Sequence, residues 1–284
     1  MCYSVSESGS WGARREIVPP VASGEFGASF CLTEPHGGSD VKGLKTSAQK
    51  EDGGWRLNGR KRFISNAGWS KWYSVLARVG DGEHGVFIVS SDDAGVSFGK
   101  PERKMGVRGS PTADVVLDHV FVPDARVVGD PAKGYSYMMD TLTMARPLIG
   151  AHAIGIAQGA LDEAVRYTSE RTQFGSPVSR FQMVRGMIAD MTTRVEASRA
   201  LLYRSVEMAQ QNDGRARAFA AMAKMSCSDT AMSVATDAVQ LHGGYGFIKD
   251  YPVERMMRDA KVTQIWEGTN QIQKLLIAKH AYGD

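Results

Sequence analysis

The sequence predicts an α+β protein in which an antiparallel β-barrel or sandwich is followed by an antiparallel helical bundle. Three observations predict it. Between Phe30 and Val122, short runs rich in Val, Ile, Phe and Tyr alternate with turn residues, which is the rhythm of strands. After Pro123 and Gly134 the apolar period becomes that of helices. The length, 284 residues, has room for one large domain or two ordinary ones with a sizeable core.

The elements follow in order. Residues 1–12 are polar and carry no apolar signal-peptide segment. Residues 12–24 read as the end of a helix and then a loop, Pro19-Pro20-Val21-Ala22-Ser23-Gly24-Glu25, like the tail of something larger. The stretch 31–40 leads from a strand end into a loop of small residues. Strands at 44–49 and 55–57 flank Glu51-Asp52-Gly53-Gly54, and Asn58-Gly59 joins the second of them to 60–64 as a hairpin. Segments 73–79, 85–90 and 113–122 complete the strands. Residues 137–171 form one long helix, with Pro147 as a kink. Residues 181–211 space Met187, Met191, Val195, Leu201 and Leu202 helically and stop near Asn212-Asp213-Gly214. A third helix, 215–242, is closed by Gly243-Gly244. A shorter pair, 252–266 and 270–282, lies on either side of Glu267. The Met and Ala stripes of these helices read as bundle core.

Composition narrows the function classes. Hydrophobic residues make up 43% and charged residues 23%, as in globular proteins. The net charge of +3 is mild and its cations are dispersed, which argues against nucleic acid or an anionic membrane surface as partner. Cys2, Cys31 and Cys227 are distant and odd in number, so the expectation is a reduced, cytoplasmic protein without a disulfide framework. No apolar run reaches membrane-spanning length, so no membrane insertion is expected. The six histidines show no ligand spacing, and no metal is expected.

Two stretches carry candidate chemistry. In Gln264-Ile265-Trp266-Glu267-Gly268-Thr269-Asn270-Gln271-Ile272-Gln273 an apolar run delivers a single carboxylate. Ile265 and Trp266 would desolvate Glu267, raise its pKa and make it a proton acceptor. The same residues also read as a helix cap, with Gly268 and Thr269 as boundary residues. In Cys31-Leu32-Thr33-Glu34-Pro35-His36-Gly37-Gly38-Ser39-Asp40, paired glycines and Ser39 let backbone N–H groups approach an anion, with the Thr33 hydroxyl nearby. An ordinary β-turn has the same composition.

The complete string 31–40 closely resembles the signature of the acyl-CoA dehydrogenases. The resemblance continues in register through Arg62-Phe63-Ile64-Ser65-Asn66-Ala67-Gly68, Lys104-Met105-Gly106-Val107-Arg108-Gly109-Ser110 and Glu170-Arg171-Thr172-Gln173-Phe174-Gly175. It then takes in Gln240-Leu241-His242-Gly243-Gly244-Tyr245-Gly246, Arg258-Asp259-Ala260-Lys261 and finally 264–273. It covers roughly residues 16–280, and it is most similar to short- and medium-chain members. It implies a division into 1–24, a remnant of the family's N-terminal helical domain, 25–130, a middle β-domain, and 131–284, a C-terminal helical bundle. Most of that N-terminal domain, which helps form the family's acyl cavity, is missing here. The expectation is a fragment, a wall supplied by a partner, or an unusually open cavity.

The resemblance also implies roles. FAD would be the cofactor. Leu32 and Thr33 would lie at the pyrimidine side of the flavin, and Ser39 by its pyrophosphate and the substrate's thioester arm. Phe63 would stack on the isoalloxazine, with Ser65 bonding near N5; the family often has Trp and Thr at these places. Arg171, Gln173, Phe174, Gln240 and Gly244 would bind the FAD of a neighbouring subunit, and Thr269 and Gln271 are also flavin positions. The protein would then be a homodimer or homotetramer. Ser39, Arg146 and Glu267 would meet the acyl-thioester substrate. Glu267 would abstract the α-proton while flavin N5 takes the β-hydride, turning acyl-CoA into trans-2-enoyl-CoA, and electrons would pass to an electron-transfer flavoprotein. Some members place the base on the long helix just before a recurring Arg. Here that place is Ala145, which accepts no proton, so the assignment falls to Glu267. The alternatives are a dehydrogenase acting on a carrier-protein thioester, a related oxidase, or a catalytically silent subunit that completes a partner's flavin site through Arg171 and Gln240.

Overall fold

The structure, a computed structural model, describes residues 2–283 and, within them, all side chains but those of 2–4 and 11. The chain divides into two units, one of residues up to 104 with 108–142, the other of 105–107 with 143 onward.

The first unit begins with two helices, α1 (Cys2–Ser8) and α2 (Trp11–Ala22). The Ser10 hydroxyl caps α2 by accepting from the Ala13 N–H at 3.1 Å. The helix continues through Pro19 and Pro20, where a loop was expected. The prolines forfeit bonds only to the carbonyls of Arg15 and Glu16, which are solvent-exposed, while buried Ala13 and Ile17 hold the opposite face.

Seven strands then form one curled sheet: β1 (Ala28–Cys31), β2 (Ser47–Glu51), β3 (Gly54–Ser65), β4 (Trp72–Arg78), β5 (His84–Ser90), β6 (Val96–Phe98) and β7 (Thr112–Pro123). The path runs β1-β4-β2-β3-β7-β6, with β5 on β4. The β2–β3, β3–β7, β4–β5 and β6–β7 pairs are antiparallel, whereas β1 joins β4 in parallel, Ala28 opposite Trp72. β4 and β5 are buried on both faces. Because side chains alternate along a strand, Tyr73, Val75, Ala77, Phe87 and Val89 enter one core, and Trp72, Leu76, Val86 and Ile88 enter a second with Val5 and Ile17 from the helices.

The expected Asn58-Gly59 hairpin is not a turn. β3 runs straight through it and the reversal occurs at Asp52-Gly53. Asn58-Gly59 is a bulge, where the register against β7 slips between Leu57 and Gly59. Thr46 leaves no room for a side chain at 59, since a Cβ there would lie 2.4 Å from its Oγ1. The Asn58 side chain meanwhile accepts from the His119 N–H at 2.9 Å.

The second unit is helical. α3 (Gly134–Glu170) begins in the first unit, which takes its residues to 142, and passes through Pro147 as one helix. A two-stranded ribbon follows, β8 (Thr172–Gln173) and β9 (Ser176–Pro177), and then α4 (Gln182–Gln210), α5 (Ala216–His242), α6 (Val253–Thr263) and α7 (Asn270–Tyr282). α5 is the axis: Ala220, Ala221, Ala223, Cys227, Ala231, Val234, Ala235 and Ala238 are buried, and their small side chains let α4, α6 and α7 approach it closely. Segment 105–107 belongs here because Arg258 donates to the Met105 carbonyl at 2.8 Å and Asp259 accepts from the Val107 N–H at 2.6 Å. Cys31 and Cys227 are free and buried; the Cys2 side chain lies outside the described residues.

Candidate active site

In the first unit, the end of β1 is clamped by β3. The buried Glu34 carboxylate accepts from Lys61 Nζ at 2.8 Å, from the Lys45 N–H at 2.7 Å and from the Thr46 N–H at 3.0 Å. Burial alone would push its pKa up, but the Lys61 charge and these bonds hold it well below the usual carboxylate range, at about 2. Lys61 also donates to the Leu32 carbonyl at 3.3 Å, and the Arg62 N–H to that of Thr33 at 2.8 Å. Two residues further along β3 the register slips again between Lys61 and Ile64. Phe63 sits in that slip at φ 57 with its ring turned outward, 56% exposed, and the Arg62 guanidinium 4.7 Å from its centre.

Leu32, Thr33, Phe63 and Ser65 are thereby gathered where β1 and β3 meet. Ser39 is exposed on the loop beyond, with no hydrogen bond tying it to the other four. Among the described residues the hydroxyls of Thr33, Ser39 and Ser65 have no protein partner. An exposed aromatic face beside unengaged hydroxyls and strand-end backbone suits a flat, polar-edged ring such as a flavin.

In the second unit, Glu267 stands in the turn between α6 and α7. It adopts φ 53 and is followed by Gly268 at φ 88. A left-handed non-glycine residue costs about 1–2 kcal/mol, and surrounding bonds must hold it. They come from two fully buried side chains. Lys224 Nζ donates to the Gly268 carbonyl at 2.9 Å, and Gln273 Nε2 donates to the same oxygen at 2.8 Å and to the Glu267 carbonyl at 3.2 Å. Lys224 also donates to Asn270 Oδ1 at 2.8 Å, while Asn270 Nδ2 donates to Ser228 Oγ at 2.9 Å and Asp229 Oδ1 at 2.8 Å. Helix α7 is capped by the Thr269 hydroxyl, which accepts from the Ile272 N–H at 3.4 Å, so Glu267 is not the cap.

The Glu267 carboxylate itself makes no hydrogen bond among the described residues. Burial raises its pKa above the usual carboxylate value, and the charges of Arg146 and Lys224 oppose the rise. Ile265 is not the desolvating neighbour expected of it, being 51% exposed. Arg146 is only 3% exposed, and its Nε and Nη1 have no hydrogen-bond partner among the described residues. Burial, then Arg217, lower its pKa to about 10, while Glu267 pulls the other way. Burial likewise brings Lys224 down to about 8, against the pull of Asp229. The turn thus presents an unengaged carboxylate among buried cations, able to take a proton without a partner competing for its oxygens.

The remaining predicted residues lie elsewhere on the helical unit except Gln271, which is in the first turn of α7. Arg171 directly follows α3, its guanidinium 5.4 Å from the centre of the ring of Tyr245, which is next to Gly244 in the chain. Gln173 and Phe174 form the β8–β9 tip, where Phe174 (φ 50) and Gly175 (φ 77) make a tight primed turn and leave the Phe174 ring 95% exposed. Gln240 and Gln271 are exposed on α5 and α7. Sequence reasoning missed Lys61, Lys224, Asn270 and Gln273. The available signal for Lys224 was its position in the buried stripe of α5, between Ala220 and Ser228 at helical spacing.

Residues 29–120 match the family description "Acyl-CoA dehydrogenase, middle domain" and residues 132–282 match "Acyl-CoA dehydrogenase, C-terminal domain". An acyl-CoA dehydrogenase of Bacillus subtilis is 45% identical over 276 residues, covering 95% of this chain and 72% of its own length. Butyryl-CoA dehydrogenase from Megasphaera elsdenii superposes with a TM-score of 0.97 at 38% identity, over 99% of this chain and 74% of that one. A chain in a solved structure of the electron transferring flavoprotein of Acidaminococcus fermentans gives the same TM-score and identity, over 100% of this chain and 75% of that one.

Proposed function

The chain belongs to the acyl-CoA dehydrogenase family of FAD-dependent oxidoreductases, and from that premise we propose that it converts an acyl-CoA to its trans-2-enoyl-CoA with Glu267 as the base. The observation that carries this reading is the Glu267 carboxylate, raised in pKa by burial and free of hydrogen bonds in a strained turn. In its ionised form it accepts the α-proton onto a carboxylate oxygen. Negative charge then develops on the thioester oxygen, and the Glu267 N–H is the donor this chain offers to it. Arg146 and Lys224, buried and cationic, favour the ionised form from which the reaction starts.

FAD is the family's cofactor, and when bound it supplies the acceptor for the β-hydrogen, which leaves as hydride. In this reading residues 25–130 hold it through Leu32, Thr33, Ser39, Phe63 and Ser65. Residues 131–284 supply Glu267, Thr269 and Gln271, and lend Arg171, Gln173, Phe174, Gln240 and Gly244 to a second copy. Arg146 and Ser39 would meet the substrate. The electrons would pass to an electron-transfer flavoprotein. No helix among the described residues is long and apolar enough to cross a membrane.

The test is Glu267→Gln. The variant should keep its FAD and its visible spectrum, fail to bleach on anaerobic addition of a short acyl-CoA, and lose about a thousandfold or more in turnover. Turnover above about a tenth of wild type would remove Glu267 from the mechanism.

A further inference from the structure

We propose that Lys224 is the positioning residue of this site: from the middle of α5 its ammonium holds the Gly268 carbonyl and the Asn270 side chain, and so fixes the left-handed turn that presents Glu267. The inference rests on Glu267 being the base.

A lysine is an expensive choice where Lys224 stands. It is fully buried in a stripe of Ala220, Ala221, Ala223, Cys227 and Ala231, where an apolar side chain would pack at no electrostatic cost. Taking an ammonium out of water costs several kcal/mol unless strong acceptors replace the water. The acceptors here are two oxygens of one turn, at 2.9 and 2.8 Å. One is the carbonyl directly after Glu267, and Gln273 occupies its other lone pair at 2.8 Å. The Gly268–Thr269 peptide therefore cannot rotate without unpairing a buried charge, and Gln273 holds the Glu267–Gly268 peptide before it through the Glu267 carbonyl at 3.2 Å. With the chain before Glu267 held by the Ile265 and Trp266 N–H groups on the Val262 carbonyl, these fixed peptides maintain the φ 53 backbone from which the Glu267 side chain and N–H project.

The Asn270 end is anchored as well. Asn270 Nδ2 reaches Ser228 and Asp229, one turn further along α5, and Gln264 Nε2 donates to Asp229 at 2.6 Å. Both flanks of the turn, Gln264 and Asn270, are thus tied to the same helix that carries Lys224. The charged groups acting on Glu267 and Lys224 are Arg146 from α3, with Arg217 behind it, and Asp229 from α5; α7 contributes the neutral Asn270 and Gln273. Lys224 lowers the Glu267 pKa, so its removal moves that carboxyl further up.

The experiment compares wild type, Glu267→Gln and Lys224→Met, each loaded with FAD, using a short acyl-CoA and an artificial electron acceptor, and follows amide hydrogen exchange of 264–273 in the flavin-free chains. Lys224→Met should keep its flavin, lose about 10- to 100-fold in kcat, as displacement of a positioned group does, and change KM by less than about threefold. The acid limb of its kcat–pH profile should move to higher pH, and the amides of 267–270 should exchange faster. Wild-type kcat, an unmoved limb and unchanged exchange would each overturn the proposal. Activity retained by Glu267→Gln would instead overturn the assignment of the base, a result that the Lys224→Met exchange data do not share. If Lys224→Met fails to hold flavin, Lys224→Gln replaces it, with the same fall expected. A flavin-free Lys224→Gln would make Lys224 a folding group and sink the positioning role.

Discussion

Glu267 is disposed to work as a base by two opposing influences. Burial makes its charged form costly, and Arg146, the largest of the opposing charges, makes it cheaper again. The net shift is upward, which sets the sign of the pH dependence. Only the ionised carboxylate accepts a proton, so kcat should be full above the Glu267 pKa and fall as pH drops through it, at a pH above the 4.5 of an ordinary glutamate. A kcat–pH profile checks this, and Arg146→Met should shift its acid limb to higher pH. The turn itself tolerates little. At Gly268, φ 88 and a built Cβ 2.8 Å from Gln273 Nε2 both exclude a side chain. Gly268→Ala should destabilise the helical unit by about 1–3 kcal/mol, read by thermal unfolding, with kcat falling alongside. Glu267 was legible in the sequence because an ordered motif surrounds it. Lys224 was not, since its meaning depends on a carbonyl forty-four residues away that no local pattern reveals.

At the scale of elements, β3 does most to build the candidate flavin cradle of the first unit. One strand carries the Asn58-Gly59 bulge, the Lys61 ammonium that clamps Glu34, and the slip that turns Phe63 outward. Sequence patterning found its two ends as separate strands, because Asn-Gly between apolar runs is the strongest local hairpin signal. What decides against the hairpin is non-local: Thr46 fills the space beside Gly59, and His119 engages Asn58. The Pro19-Pro20 misreading has the same origin, since local propensity yields to the packing of Ile17. The Glu34–Lys61 pair gives a measurable consequence. Glu34→Gln leaves a buried ammonium without its counter-charge and should cost about 3–5 kcal/mol in denaturant unfolding. A carboxyl held near 2 in the folded protein stabilises fully above the ordinary value of 4.5 and loses that contribution as pH falls from there toward 2. The acid sensitivity of unfolding across that interval should therefore shrink in Glu34→Gln.

For the whole molecule, fold class was legible because it depends on period alone: strands before residue 123, helices after 134. The parallel β1–β4 pairing and the short β6 were not, since both are settled by partners distant in sequence. The candidate residues divide by location in a way that bears on assembly. Glu267 is partly buried in its turn, while Arg171, Gln173, Phe174, Gln240 and Gly244 all lie on the surface of the helical unit, with Phe174 almost wholly exposed. Donors and an aromatic ring left this open suit a site belonging to a second copy, and two variants separate that arrangement from a self-contained one. Glu267→Gln removes the base but leaves Arg171 to lend; Arg171→Ala keeps the base but should weaken FAD binding by removing a multidentate cation. Each alone should be nearly inactive. Mixed one to one under conditions that exchange subunits, random pairing across a two-fold interface places an intact base opposite an intact Arg171 in about a quarter of all sites. Recovery toward that fraction of wild-type turnover, with FAD supplied, is the expected outcome. If the mixture stays as inactive as its components while sedimentation shows that subunits have exchanged, Arg171 serves the chain that carries it.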